Sequence, residues 1–489
     1  MNRLIVVERP ERWPFQIPGV EVVSAREYLT AARFADGPRA TVLNFCRSYA
    51  KNTTGYYVSL LAAARGHRPL PSVTTVQGLS VDSVVRVAAD DLGDLVQTSL
   101  EPLKSDDFEL SVYFGRNLAK RYARLSRALY GHFPVPYLRA RFRRDADGAW
   151  QLSGVRAISA SDVPEAHHDF VIETTSRFFR HGRDGSPKRK DWRYDLAILW
   201  SEDDPQAPSN AGAIKKLVKA AERIGIKVDV IEPDDFGRLE IYDALFIRET
   251  THIGHHTHRF ALRAEAAGLV VVDDPESIVR CTNKVYQAEL FDRHGISAPE
   301  TLVVHDGNRD TVADVLGLPC VLKDPTGAFS SGVTKAETQE ELSAALDQLL
   351  EDSELVIAQE WTPSAFDWRV GILEGRPLFA ARYHMARGHW QIVRQGAPKS
   401  WRYGRVEAVP VDEVPAQVLD LALRAAGLIG DGLYGVDLKE LDDGRVVVTE
   451  VNDNPNLDSG EEDRVIGDAL YDTVMDFFAR RLEARGTRR

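Results

Sequence analysis

The sequence predicts an α/β and α+β chain: an N-terminal α/β domain (1–190), a small parallel βαβ domain (195–282) and a mixed region of two packed lobes (283–489). Three observations carry this expectation. The 489 residues are too many for one core, and a prior of about one domain per 150 residues suggests three. Between 195 and 272 short apolar runs alternate with helical periodicity, the pattern of a parallel sheet. From 283 onward hairpins and single helices mix, which suits two packed lobes better than one doubly wound sheet.

In chain order, 3–8, 20–23 and 40–45 read as strands. Within 115–144 the only charges are basic, and Phe114, Leu118, Tyr122, Leu125 and Leu129 form a helical apolar stripe. That stripe sets Arg116, Lys120, Arg121, Arg124 and Arg127 largely on the exposed side. Such a face binds RNA, a ribosomal surface or an acidic peptide, or it pairs with the acidic remainder of the chain. The polar stretch 181–190 reads as a linker or surface loop. Strands follow at 196–200, 227–231, 244–247 and 269–272, with a helix at 213–223 repeating through Ile214, Leu217 and Ala221. A second boundary falls near Cys281, then a helix at 284–294, closed by Gly295 before a turn at Pro299. Helices at 339–350, 414–426 and 468–483, a strand at 355–359, and hairpins around Glu374-Gly375 and Asp443-Gly444 complete the chain.

Composition narrows the function. A net charge of −12 argues against bulk non-specific nucleic-acid binding. Cys46, Cys281 and Cys320 stand apart, with neither disulfide nor zinc spacing, so a reducing cytoplasm is expected. The N-terminal apolar run is too short for a signal peptide, and no stretch approaches the ~20 apolar residues of a membrane helix.

The most informative segment is the hairpin 435–455. If Asp443-Gly444 form a two-residue turn, Asp442 pairs with Arg445 and Asp437 lies opposite Glu450, with Asn452 on the same face. Three oxygen donors then converge, and opposed carboxylates repel unless a cation lies between them. Mg²⁺ is the cation such donors prefer, with Mn²⁺ as the alternative ion. A solvated polar face is the other reading, and a three-residue turn would break the register.

A strand ending in Lys323 runs into a loop carrying Gly327, Ser330, Ser331 and Gly332. Lysine offers a compact charge to phosphate, and glycines let backbone N–H groups form an anion nest. The loop is neither a P-loop nor a dinucleotide fingerprint, and an ordinary turn between strands would look the same.

Asp437, Glu450-Val451-Asn452 and Pro455 resemble the metal signature of ATP-grasp carboxylate–amine ligases, and the match is best to the RimK-like group in its long form with an extra N-terminal domain. The resemblance spans roughly residues 195 to 480 and implies an ATP-grasp two-lobe fold. It further implies that Lys284 and Lys323 bind ATP phosphates under the glycine loop. Gln359, Glu360 and Trp361 would hold adenine and ribose, with Asp367 beside them. Arg369 and Arg382 match the group's D-x-R and second arginine, and Arg382 is expected to stabilise developing negative charge. Two departures stand out: Asn283 replaces an aspartate before Lys284, and His389-Trp390-Gln391-Ile392-Val393-Arg394 replaces the F-R-S-N segment of glutamate ligases. Arg394 or Lys399 could substitute in space, and glutamate as the substrate is left open.

The implied activity is ATP-dependent joining of a carboxylate, activated as an acylphosphate, to an amine. A small molecule, a peptide, a protein or a ribosomal acceptor all fit, as does a homo-oligomer. A kinase on the same scaffold and a non-catalytic nucleotide-binding adaptor are the rivals. His252, His255, His256 and His258 crowd the segment after the 244–247 strand; a polar loop at the cleft mouth fits them better than a metal site, and with Arg248 and Glu249 they are candidates for touching the acyl substrate.

Overall fold

The structure, a computed structural model, describes residues 2–35, 37, 39–79, 85, 88–89, 91–145, 147–179, 192–327, 332–387, 389–392 and 404–487. The expected linker 181–190, Ser330, Ser331, Arg394 and Lys399 lie outside the described residues. The chain forms two units, Met1–Arg189 with Pro233–Ile241, and Lys190–Glu232 with Tyr242–Arg489.

In the first unit, β1 (Asn2–Val7), β2 (Glu21–Ser24), β3 (Ala40–Asn44) and β4 (Arg68–Leu70) form a parallel sheet in the order β2-β1-β3-β4. Ile5, Val6, Val42 and Leu43 are fully buried, as strands covered on both faces require. An antiparallel meander follows, of β5 (Asp107–Tyr113), β6 (Tyr137–Arg144) and β7 (Trp150–Ala157). Alternation buries Leu138, Ala140 and Phe142 and pairs Arg141 with Glu109 and Arg143 with Asp107 on the outer face.

The basic stretch corrects one expectation. Its helix is Ala123–His132, preceded by a 3-10 turn at Lys120–Tyr122. Tyr122, Leu125 and Leu129 are buried as the periodicity requires, but Leu118 is exposed and Phe114 has φ 46°. The reason is local: the Asn117 amide donates to Ser111 O at 2.7 Å and accepts from Ala119 N–H at 2.7 Å, fixing a turn where a helix would have begun. Lys120, Arg121, Arg124 and Arg127 are exposed, and half-buried Arg116 lies over Phe170.

In the second unit, β8 (Tyr194–Leu199), β9 (Ile226–Ile231), β10 (Ala244–Ile247) and β11 (Val270–Val272) form the expected parallel sheet, in the order β11-β10-β8-β9. The order reverses between β8 and β10, so the loops leaving these two strands flank one crevice. The Ala211–Arg223 helix starts where Asn210 accepts from Ala213 N–H at 3.0 Å, and it buries Ala213, Ile214, Leu217, Ala220 and Ala221.

Two antiparallel sheets complete this unit. One contains β12 (Thr301–Val304), β13 (Cys320–Lys323), β14 (Val333–Ala336) and β15 (Val356–Glu360), in the order β12-β15-β13-β14. The other contains β16 (Phe366–Leu373), β17 (Arg376–His384), β18 (Val406–Val409), β19 (Leu433–Glu440) and β20 (Val446–Asp453), in the order β18-β17-β16-β19-β20. Trp368, Val370, Val436, Leu438 and Val451 on one face of this five-stranded sheet pack with the Ala416–Ile429 helix. On the opposite face Leu373, Phe379 and Leu433 join a core shared with the parallel sheet.

Two bulges set the register of the five-stranded sheet. Between β19 and β20 the turn has three residues, not two: Leu441 N–H donates to Arg445 O and Gly444 N–H to Leu441 O, both at 2.9 Å, with Gly444 at φ 81°. Leu438 then faces Val448, Thr449 is the extra residue of a bulge, and pairing resumes with Asp437 opposite Glu450. The expected pairing is therefore reached through two offsetting irregularities. Between β16 and β17, Glu374 and Gly375 both have positive φ (52° and 67°), as a type I′ turn requires. Ile372 faces Pro377 and Gly371 faces Phe379, leaving Leu378 as a bulge. Without it Arg382 would face Asp367; with it Arg382 faces Trp368.

Candidate functional site: a polar row across the five-stranded sheet

Arg369, Asp437 and Glu450 lie directly opposite one another on β16, β19 and β20, and Asn452 lies two residues along on the same face, opposite Gly435. Arg369 donates from Nε to Asp437 Oδ1 and from Nη2 to Oδ2, each at 2.7 Å, and Asn452 Nδ2 donates to the same Oδ2 at 3.1 Å. Glu450 Oε1 lies 3.5 Å from Lys284 Nζ. The repulsion of two opposed carboxylates is thus offset by Arg369 and Lys284. Burial works against the Arg369 charge, but the Asp437 carboxylate outweighs it and holds the guanidinium well above its ordinary value. Tyr383 covers Arg369 at 4.8 Å and donates its hydroxyl to Glu462. Three hard oxygen donors in one row, two of them carboxylates, suit Mg²⁺ with water and phosphate oxygens in its remaining positions.

Lys284 is the first residue of the Lys284–His294 helix, and Asn283 caps it by accepting from Tyr286 N–H at 3.0 Å. Asparagine caps as well as aspartate does, which accounts for the departure at 283. The Lys284 backbone N–H donates to Pro325 O at 2.8 Å and its Nζ to Gly327 O, so this lysine is tied to the glycine loop. Lys323 ends β13, where burial pushes its ammonium down to about 8, with Glu450 opposing the fall and Lys284 and Lys439 adding to it. Gly332, at φ 68°, closes the loop's far end so tightly that a Cβ would come 2.8 Å from Asp324 Cβ.

Gln359, Glu360 and Trp361 are at the end of β15. Gln359 Nε2 donates to Thr301 Oγ1 at 2.9 Å, and the Glu360 N–H donates to Glu300 O at 2.9 Å while its carboxylate accepts from Glu300 N–H at 3.1 Å. The Glu360 backbone donor is thereby engaged. Lys335 Nζ lies 4.4 Å from the Trp361 ring, which meets Trp390 edge-on at 5.1 Å. Asp367 shares the face of the polar row and accepts from Lys439 Nζ at 2.6 Å.

Arg382 is not brought to the row, against the role expected of it. The Leu378 bulge turns it to the face covered by the Ala416–Ile429 helix, where it stacks on Trp368 at 4.7 Å and lies 3.9 Å from Glu407. The histidines also fall differently from one loop. His256 and His258 belong to the His256–Ala266 helix and His252 and His255 precede it. Among the described residues no three His, Cys, Asp or Glu side chains are arranged to hold a metal ion.

The sequence reading missed Lys439, which its place two residues after Asp437, on the same face, could have signalled. Arg248 was a candidate, but its partners are distant in sequence and pairing does not reveal them. It is fully buried, donating from Nε to Ser209 Oγ (3.0 Å), from Nη1 to Asn454 Oδ1 (2.6 Å) and from Nη2 to Pro208 O (2.6 Å) and Pro455 O (2.7 Å). Burial pushes it down to about 10. Pro455, held this way, covers Gly435, where a Cβ would come 2.8 Å from Pro455 Cβ.

Paired antiparallel sheets, a lysine-ended strand with a glycine loop, and an Asp/Glu/Asn row define the ATP-grasp class. Comparison with known proteins agrees: residues 25–174 match the RimK-like ATPgrasp N-terminal domain and 291–459 the D-ala D-ala ligase C-terminus. The chain is 28% identical over 226 residues to a probable alpha-L-glutamate ligase 1 of Pseudoalteromonas atlantica, covering 45% of this chain and 71% of that one. It is 26% identical over 268 residues to a probable alpha-L-glutamate ligase of Pectobacterium carotovorum, covering 50% and 84%. Among solved structures, the D-alanine–D-alanine ligase of Bacillus anthracis complexed with ATP aligns with TM-score 0.48 and 16% identity over 60% of this chain and 99% of that one. Over these stretches the chain is similar to RimK-like ATP-grasp proteins and to the N-terminal domain of that group, and it is an ATP-dependent carboxylate–amine ligase. Among the described residues no helix is long and apolar enough to cross a membrane.

Proposed function

We propose that this ligase joins an amino acid to the carboxylate of a peptide, a protein or a small molecule, with ATP as cosubstrate and Mg²⁺ as cofactor. The observation that carries the reading is the convergence of Asp437, Glu450 and Asn452 with Arg369 and Lys284 on one sheet face. Asp437, Glu450 and Asn452 would hold Mg²⁺, which when bound neutralises the charge of the transferring phosphoryl group.

Lys284 and Lys323 bind the phosphates, and water must be kept from the acylphosphate for the amine to react. Gln359, Glu360 and Trp361 border the nucleotide, and Asp367 fixes Lys439. The substrate carboxylate attacks the γ-phosphorus, ADP leaves, and the amine then attacks the acyl carbon and expels phosphate. Arg369, already aligned by Asp437, orients the row, and we assign no charge-stabilising role to Arg382.

The names of the relatives make α-linked glutamate the first amino acid to try. We assign 1–190 as the accessory domain, 195–282 as the domain preceding the ATP-grasp and 283–489 as the ATP-grasp domain. The use of ATP supports a cytoplasmic site of action.

The test is incubation with Mg-ATP, the twenty amino acids and short peptides, with Glu450→Gln as control. ADP, phosphate and a product one water lighter than its two parts are expected from the wild type alone. A product heavier by one phosphoryl group, without free phosphate, would make the protein a kinase instead.

A further inference from the structure

The loop after β10 carries a carboxylate that the chemistry above does not use. Glu249 is 2% exposed; one of its oxygens, Oε2, accepts a hydrogen bond from His256 Nε2, and the other, Oε1, has no partner among the described residues. A buried carboxylate oxygen left this way is disfavoured unless a donor completes it. The neighbouring cation is not available, because the Arg248 guanidinium is spent on Ser209, Pro208, Asn454 and Pro455.

Glu249 follows the C-terminal end of β10 at the reversal between β8 and β10, where open parallel sheets bind ligands. The loop from β8 closes one side, Asp204 accepting from Thr250 N–H at 2.9 Å and from its hydroxyl at 3.0 Å. The exit of β20 closes the other, Asn454 Nδ2 donating to Glu249 O at 2.6 Å. Asp453 directly follows Asn452 of the polar row. An electron-rich, donor-seeking oxygen thus lies beside the strand that carries the catalytic donors.

We propose that Glu249 is the binding site for the ammonium group of the amine substrate, and that His256 is a positioning residue that aims its carboxylate. The inference rests on the ligase reading above and names which loop receives the second substrate. The ammonium group donates an N–H to Oε1 while the acylphosphate forms across the polar row.

The test separates this inference from its basis. Hydroxylamine intercepts an acylphosphate as a hydroxamate without needing an ammonium site. The full chain, with Mg-ATP, the twenty amino acids and short peptides as carboxylates, is assayed with 10 mM hydroxylamine for hydroxamate and separately for amide product. For Glu249→Gln, hydroxamate formation within about threefold of wild type and a KM for the amine raised by roughly 30-fold or more are expected, the size of a lost charge-assisted bond. His256→Asn should raise the same KM less, and His256→Gln should restore part of it. An unchanged amine KM in Glu249→Gln overturns the proposal. If that variant loses both products through misfolding, His256→Asn decides on the same readout, a raised amine KM supporting the site and an unchanged one refuting it. Absence of hydroxamate from the wild type with every carboxylate overturns the ligase reading, and the amine site with it.

Discussion

Replacing Arg369 by methionine tests the electrostatics of the polar row most directly. In the wild type the guanidinium makes two 2.7 Å bonds to Asp437, with the two side chains 14% and 16% exposed. The substitution leaves Asp437 with the Asn452 amide at 3.1 Å and with Glu450 directly opposite. Breaking a buried ion pair from one side costs about 3–5 kcal/mol, and partial solvation puts this case near the lower end, about 3 kcal/mol. For a unit of this size, with an unfolding entropy of roughly 2 cal/mol/K per residue, that lowers the unfolding midpoint by about 5 °C. Removing the carboxylate as well should recover much of the loss, so Arg369→Met/Asp437→Leu should show a coupling of about 2–3 kcal/mol against the sum of the singles. Millimolar Mg²⁺ supplies the missing counter-charge and should raise the midpoint of Arg369→Met more than that of the wild type. Calorimetry of the four proteins with and without MgCl₂ decides it. Single substitutions that add without coupling, or an Arg369→Met variant within about 1 kcal/mol of wild type, would refute the account of the row.

Lys323 is held near 8 against an ordinary 10.5, so its charged form weakens the folded state below pH 8 and that penalty is relieved as pH rises from about 8 toward 10.5. Phosphates bound beside it should raise its value again. ATP binding should therefore take up about three-quarters of a proton at pH 8.5 and almost none at pH 6.5, read by titration calorimetry in buffers of different ionisation enthalpy, with Lys323→Met showing none at either. Arg382→Met should keep turnover within about threefold, because the guanidinium stacks on Trp368 on the far face, whereas Arg369→Met should lose two orders of magnitude or more. Gly435→Ala drives a methyl against Pro455 and should cost about 1–3 kcal/mol of stability in chemical denaturation, the range of overpacking in a tight core.

The parallel sheet was legible because its strands are buried on both faces and read as uninterrupted apolar runs. The Lys284 helix was legible because cap, first residue and closing glycine all carry their own chemistry. Register was harder, since each bulge moves every later side chain by half a period. At Thr449 the bulge cancelled an odd-length turn and the donors met as expected. At Leu378 nothing cancelled, and Arg382 went to the other face. Neither bulge has a signature in composition, because the residues involved are ordinary strand formers. Arg248 and Glu249 were legible as candidates from their place after the 244–247 strand, but their partners were not, because these are set by the crossing of distant segments.

Arg248 has one more consequence, for the order in which the molecule assembles. Its bonds to Asn454 and Pro455 join residues 206 and 207 positions apart. Loops of that length close late, because their entropy must be lost before any contact rewards it. The hairpin of β19 and β20 forms from neighbouring residues and needs no such wait. Its exit reaches its final course only when β10 has been laid down and Arg248 is in place to receive it. The last part of this unit to become native is then the junction that brings Glu249 beside the polar row, and a chain that folds incompletely would lose the second substrate's site before it lost the first.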